Sequence, residues 1–145
     1  MSAVDDLDEV IEQFNLAQGE FMKGNPKPVQ MMFSHREDVT LNNPLSPPAH
    51  GWEQVASTME RAASQFGDGE IVGYETIEKH VTPEFAYVVR VERAKAKVGG
   101  EEDIFAPIAL RVTMIFRPED GTWKVVHRHA DPITTPQAAE SVIQN

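Results

Sequence analysis

The sequence predicts an α+β domain, and three observations carry that expectation. Apolar residues recur at helical spacing near the start of the chain and again from Trp52 to Phe66. Nearly everything from Glu70 to Asp131 reads as strand. There is no strand–helix alternation, no G-x-G-x-x-G and no P-loop. Helices gathered on one side of a mostly antiparallel sheet are the arrangement that results. The 145 residues suffice for one domain with its own core, assigned to residues 1–132, with 133–145 as a C-terminal tail.

The first helix is marked by Leu7, Val10, Ile11, Phe14, Ala17 and Phe21, which fall along one stripe. Asp5, Asp6, Asp8 and Glu9 occupy its first turns, where the helix dipole favours acids. Gly24-Asn25 stops it and Pro26 cannot extend it. A short second helix covers about Lys27 to Phe33, because Val29, Met32 and Phe33 repeat the spacing. "DVTLNNP" is a strand ending in a turn, and "LSPPAHG" is an irregular loop, broken by Pro47-Pro48 and Gly51. A third helix runs from Trp52 to Phe66 through Val55, Met59, Ala62 and Ala63, and "GDG" closes it.

Two strands follow, "EIVGYETIEKHV" and "EFAYVVRVERAKAKV", joined through Thr82-Pro83. "GGEED" makes the next turn, "IFAPIALRVTMIF" the next strand, "RPEDGT" another turn and "WKVVHRHAD" the last strand. The remainder is a tail with at most a short helix. Leu110, Val112, Met114 and Phe116 form one face of their strand, while Ala109, Thr113 and Ile115 share the other with Arg111. A sheet that is apolar on both sides needs two covers. The helices supply one, and a second copy of the chain supplies the other, so a homodimer through the sheet is expected.

A net charge of −10 and a pI near 4.9 disfavour a reader of nucleic-acid phosphates, and equally a grip on anionic lipid. With no cysteine there is no disulfide, thiolate metal site or cysteine nucleophile, which fits a cytoplasmic protein. "MSAVDDLDEV" lacks the basic and apolar segments of a signal peptide, and no apolar run approaches the ~20 residues that cross a bilayer.

The element order, together with "ALRVTMIFRPEDGTWKVVHRHAD", resembles the nuclear-transport-factor-2-like superfamily and, within it, the SnoaL-like branch. The family's closing hairpin is matched here by Arg111, Thr113, Asp120, Gly121, Trp123, Val125, Val126, His127 and His129. The hairpin is also similar to that of the association domain of calcium/calmodulin-dependent protein kinases. The resemblance spans roughly Val4 to Pro132. It implies a curved sheet wrapped around three helices as a cone, with an open pocket for a small hydrophobic ligand or substrate and no cofactor. Members include ketosteroid isomerases, cyclases, dehydratases, hydrolases and non-catalytic binding modules, so fold alone does not decide chemistry.

The steroid-isomerase set is incomplete in this chain. At the position matching that family's carboxylate base stands Asn43, before Pro44, and an amide hydrogen-bonds but takes no proton from carbon. The first helix has no tyrosine, and no acid lies between Ile104 and Phe116 to serve as the second oxyanion donor.

Strict alternation puts His127 and His129 on one strand face with Trp123 and Val125. Such a pair also begins cupin-type metal sites, but the following glutamate and later histidine are missing, so no metal is expected; His80 is the one candidate third ligand. The pair is then read as pocket wall. One histidine is a neutral hydrogen-bonder there, or His129 is an acid/base oriented by Asp131, with His127 and Arg111 polarising a carbonyl. Arg111 is either paired with Glu92 or Asp131, or a clamp for a ligand carboxylate or enolate. Arg90 and Glu92 share strand parity. Trp52 and Asn43 complete the expected lining, Tyr74 and Tyr87 read as core or pocket lining before they read as donors to a ligand oxygen, and "NNPLSPPAHGW" lies beside the mouth as a lid or a plain connection. Two functions lead, a pocket protein binding or converting a small metabolite by proton-transfer chemistry or a non-catalytic dimeric module, with a metal-dependent enzyme using the histidine pair as a third and lower reading.

Overall fold

The computed structural model describes residues 6–98 and 105–144. In chain order the elements are α1 (Leu7–Phe21), α2 (Lys27–Met32), β1 (Thr40–Asn42), β2 (Ala49–His50), α3 (Trp52–Ala63), β3 (Phe66–Val81), β4 (Ala86–Val98), β5 (Phe105–Glu119) and β6 (Thr122–Asp131). A 3-10 turn at Ala139–Val142 ends the described chain, exposed throughout. The "GGEED" turn lies outside the described residues. Among the described residues no helix is long and apolar enough to cross a membrane.

α1 begins where Asp6 accepts a hydrogen bond from the Glu9 N–H at 3.2 Å, relieving one of the unpaired donors of the first turn. Its stripe buries Leu7, Val10, Phe14 and Ala17. Gly24, at φ 99°, supplies the left-handed residue that turns the chain away from it.

The six strands form one unclosed sheet in the order β2-β1-β6-β5-β4-β3, antiparallel except where β1 runs parallel to β6. Three register shifts in β3–β4 and one in β5–β6 bend it, since each bulge adds local twist. The concave face packs on the helices around a core that includes Phe14, Phe33, Val55, Met59, Val112, Met114, Phe116 and Trp123.

Three expectations need correction. "LSPPAHG" contains a short strand, because Ala49 pairs with Leu41 and His50 with Thr40. "GDG" does not close α3; β3 already begins at Phe66, and Asp68 at φ 50° sits within the shift between Gly67 and Glu70. The turn in "RPEDGT" narrows to Asp120-Gly121, both at positive φ (53° and 82°), the geometry that a two-residue hairpin requires.

Candidate functional site: a cavity closed by a buried arginine–glutamate cluster

β6 decides what the cavity contains. Phe116 pairs with Val125 and Ile115 with His127, leaving Val126 as an extra residue with no partner on β5. An extra residue reverses the odd–even alternation beyond it. Trp123 and Val125 are buried on the helix side, and so, past the bulge, are Arg128 and Ala130. His127 and His129 turn to the outer face, away from Trp123 and Val125, contrary to the strict-alternation reading.

Between the helices and the inner face of the sheet lies a cavity of ≈ 110 Å³. Most of its wall is apolar, from Phe14, Phe33, Met59, Ile71, Ile108 and Leu110. Gln18, Asn43, Glu92 and Arg128 are its polar lining.

Glu92 and Arg128 reach each other over β5, with Arg128 donating from Nη1 to Oε2 at 3.0 Å and from Nη2 to Oε1 at 2.7 Å. This is the parallel two-bond fork that suits a carboxylate. Arg90 donates to the same carboxylate from Nε at 2.9 Å, and to Asn15 at 2.8 Å and Gln18 at 3.2 Å. Gln18 gives its own N–H to Glu92 at 3.1 Å and accepts from the Tyr74 hydroxyl at 2.8 Å. The Tyr74 ring lies 4.1 Å from the Arg90 guanidinium carbon, and Phe14 flanks both arginines.

Burial by itself pushes the Glu92 carboxyl up, but the charges and hydrogen bonds of Arg128 and Arg90 outweigh it and hold the group at about 2. Tyr74 is pushed up to about 12, first by burial and then by the Glu92 charge. At neutral pH the cluster therefore presents a fixed carboxylate, two guanidinium groups and a neutral phenol. It has no poised general base, because a carboxylate held that low is a poor proton acceptor. What it offers is hydrogen-bond donors and positive potential. Of the five N–H groups of Arg128, the Glu92 fork engages two.

Of the residues singled out from the sequence, Glu92 and Asn43 line the cavity. Asn43 sits at the loop after β1, its side-chain oxygen accepting from the Leu45 N–H at 2.9 Å. Trp52 is half-buried outside the lining and stacks on His35 with ring centroids 3.7 Å apart.

Arg111, His127, His129 and Asp131 gather on the outer face instead. Arg111 is 60% exposed and contacts both Asp131 oxygens, at 2.8 and 3.1 Å. His129 Nε2 lies 3.1 Å from Asp131, and His127 Nδ1 lies 2.7 Å from the Thr40 hydroxyl. Burial opposes ionisation of Asp131, yet the Ile133 N–H, Arg111 and His129 together hold its carboxyl below the ordinary range. His127 is lowered by burial and then by the charge of His129. His80 packs beside Tyr87 at the far side of the sheet, three strands from His127, or roughly 14 Å by strand spacing. Among the described residues no three His, Asp or Glu side chains gather so as to hold a metal ion.

Arg128, Gln18 and the fork on Glu92 escaped the sequence reading. One signal was present: Arg90 and Glu92 fall on the parity of Ala86, Val88, Ala94 and Ala96, so two charges interrupt an otherwise apolar face. Arg128 could not be found by parity, because parity fails at Val126.

The SnoaL-like domain family matches residues 9–134 of this chain. No curated protein matches it. Solved structures of similar shape include a nuclear transport factor 2-like superfamily protein from Salmonella enterica subsp. enterica serovar Typhimurium str. LT2 (TM-score 0.75, 14% identity, 94% of each chain covered). A ketosteroid isomerase-like protein from Erwinia carotovora atroseptica SCRI1043 superposes with a TM-score of 0.72 at 17% identity, covering 88% of this chain and 94% of its own. A provisionally named dehydratase of the same superfamily from Streptomyces avermitilis gives 0.70 at 17%, covering 91% and 96%. At such identities the likeness is one of fold.

Proposed function

The chain belongs to the SnoaL-like domain family, and we propose that it binds a small, mostly apolar metabolite in the cavity between α1–α3 and the inner face of the sheet. The observation that supports this reading is a mostly apolar, partly open cavity whose polar lining centres on the Glu92–Arg128 fork. Any conversion of the ligand is proton-transfer chemistry of the isomerase, cyclase or dehydratase kind, with Arg128 donating to a ligand oxygen and no cofactor taking part. The acidic, cysteine-free composition favours a cytoplasmic setting. The reading is tested by screening small compounds for a rise in melting temperature. A hit should stabilise the wild type and not a Leu110→Trp variant, whose indole fills the space; compounds that stabilise both equally contradict it.

A homodimer through the outer face is the second proposal. Tyr87, Val89, Val91, Thr113 and Ile115 are half-buried there, next to the Arg111–Asp131–His129 cluster. In this reading His129 and Asp131 belong to an interface rather than to the cavity. Sedimentation velocity tests it, with a dimer expected for the wild type and a monomer for Ile115→Arg; a wild-type monomer at all concentrations refutes it.

A further inference from the structure

The buried cluster at the cavity carries an unbalanced charge. Arg90 and Arg128 are two cations, Glu92 is one anion, and Asn15, Gln18 and Tyr74 are neutral at pH 7. Glu92 and Arg128 are the charged residues among the described cavity lining and balance each other, while Arg90, bonded to Glu92 from outside the lining, supplies the surplus. The cluster thus holds a net charge of +1 in an interior where Arg90 is 2% exposed, Glu92 7% and Arg128 9%. An uncompensated charge is costly in such a place, and its natural complement is an anion.

The two arginines are not equivalent. Arg90 spends its donors on Glu92, Asn15 and Gln18, and the rings of Phe14 and Tyr74 enclose it. Arg128 contacts only Glu92 among the described hydrogen bonds and lines the cavity directly. Its remaining N–H groups are where an acceptor can be seated. The volume bounds the rest of the ligand: at ≈ 110 Å³ the space is smaller than the apolar cavity of about 150 Å³ that holds a benzene ring, so a short branched chain fits inside and an aryl ring reaches into the open mouth.

Building on the pocket reading above, we propose that the cavity takes a small apolar monoanion, an aryl or short branched-chain carboxylate, whose oxygens accept from Arg128 while its body packs against Phe14, Phe33 and Leu110. A dianion or phosphate ester fits less well, because the cluster offers one surplus charge. A neutral ketone or alcohol leaves that charge uncompensated.

Calorimetric titration with benzoate, phenylacetate and isovalerate, each beside its neutral amide, tests the assignment. At least one carboxylate is expected to bind about tenfold or more tightly than its amide. Glu92→Gln raises the cluster to +2 and should widen that preference; Arg128→Met should abolish it. Amides that bind as well as the acids overturn the anion assignment and leave the pocket reading intact. If no acid or amide binds at millimolar concentration, the pocket reading and the inference fall together. A carboxylate preference that both variants leave unchanged places the anion elsewhere and also overturns the proposal. Because Arg128→Met strands Glu92 without its fork and so weakens the fold itself, the direction of change in Glu92→Gln is the deciding result.

Discussion

Glu92 and Arg128, on strands that do not touch, join in two hydrogen bonds of 2.7 and 3.0 Å across the inner face of β5. Their meeting depends on one unpaired residue, Val126, which turns Arg128 inward and the flanking histidines outward. The separation of the two faces sets the energetic ranking of neighbouring positions. Arg128→Ala leaves Glu92 without its principal partner, and loss of one member of a buried pair costs about 3–5 kcal/mol. His129→Ala, at an exposed position, should stay within about 0.5 kcal/mol of wild type. Urea denaturation of the two variants measures this, and the reverse ranking contradicts the assignment of faces.

Acid stability should report Glu92 directly. Its folded pKa, about 2, lies below its ordinary value of 4.5, so folding favours the ionised form. The resulting stabilisation is complete above about pH 5 and is lost as pH falls through 4.5 toward 2, on the order of 3 kcal/mol in all. Glu92→Gln should remove that part of the acid dependence while leaving the contributions of Asp38, Glu119 and Asp131. Parallel stability–pH curves for the two proteins would show that Glu92 is not held low.

His127 titrates in the opposite chemical sense with the same sign of pH effect. Its folded pKa is lowered, so its contribution to stability is intact above about 6.5 and declines as pH falls through the folded value. An NMR titration should find its midpoint below the ordinary histidine range, and His129→Ala should raise it by removing a neighbouring charge. A midpoint at or above 6.5 in the wild type contradicts the burial assigned to it.

The start of β3 is docked tightly on the end of α1, where the Gly69 N–H donates to the Met22 carbonyl at 3.0 Å. A β-carbon on Gly69 would lie 2.5 Å from that oxygen and 2.6 Å from the Met22 Cβ. Gly69→Ala should therefore cost about 1–3 kcal/mol. Gly73, farther along β3 with nothing within 4 Å, should accept alanine at little cost. Thermal melts of the pair decide it, and equal melting temperatures would argue against this close approach.

Much of this arrangement is legible in the residues themselves. The stripes of α1 and α3 and the alternation of β5 each have one period and one burial pattern, and the structure reproduces both. Asn43 and Glu92 line the cavity as local pattern suggests: one follows the first strand at a Pro-marked turn, and the other lies on β4, whose pairing with β5 runs without a shift. The histidine pair was read onto the wrong side of its strand, because alternation carries no mark of a bulge. "WKVVHRHAD" reads as one unbroken period in which Val126 looks like any other valine. Its surplus status appears only when β5 is laid beside it. Likewise "LSPPAHG" pairs at Ala49–His50 despite its prolines, because two residues at a sheet edge need few backbone partners.

The central claim is that the inner cavity, and not the histidine-bearing outer face, is the ligand site. The most direct test is a titration of methyl-labelled protein with benzoate, followed by NMR. Shifts concentrated at Leu41, Ile108 and Leu110, with Val89, Val91 and Ile115 unmoved, are the predicted result. Shifts centred on Val89, Val91 and Ile115, around His127 and His129, would contradict it and move the site to the outer face.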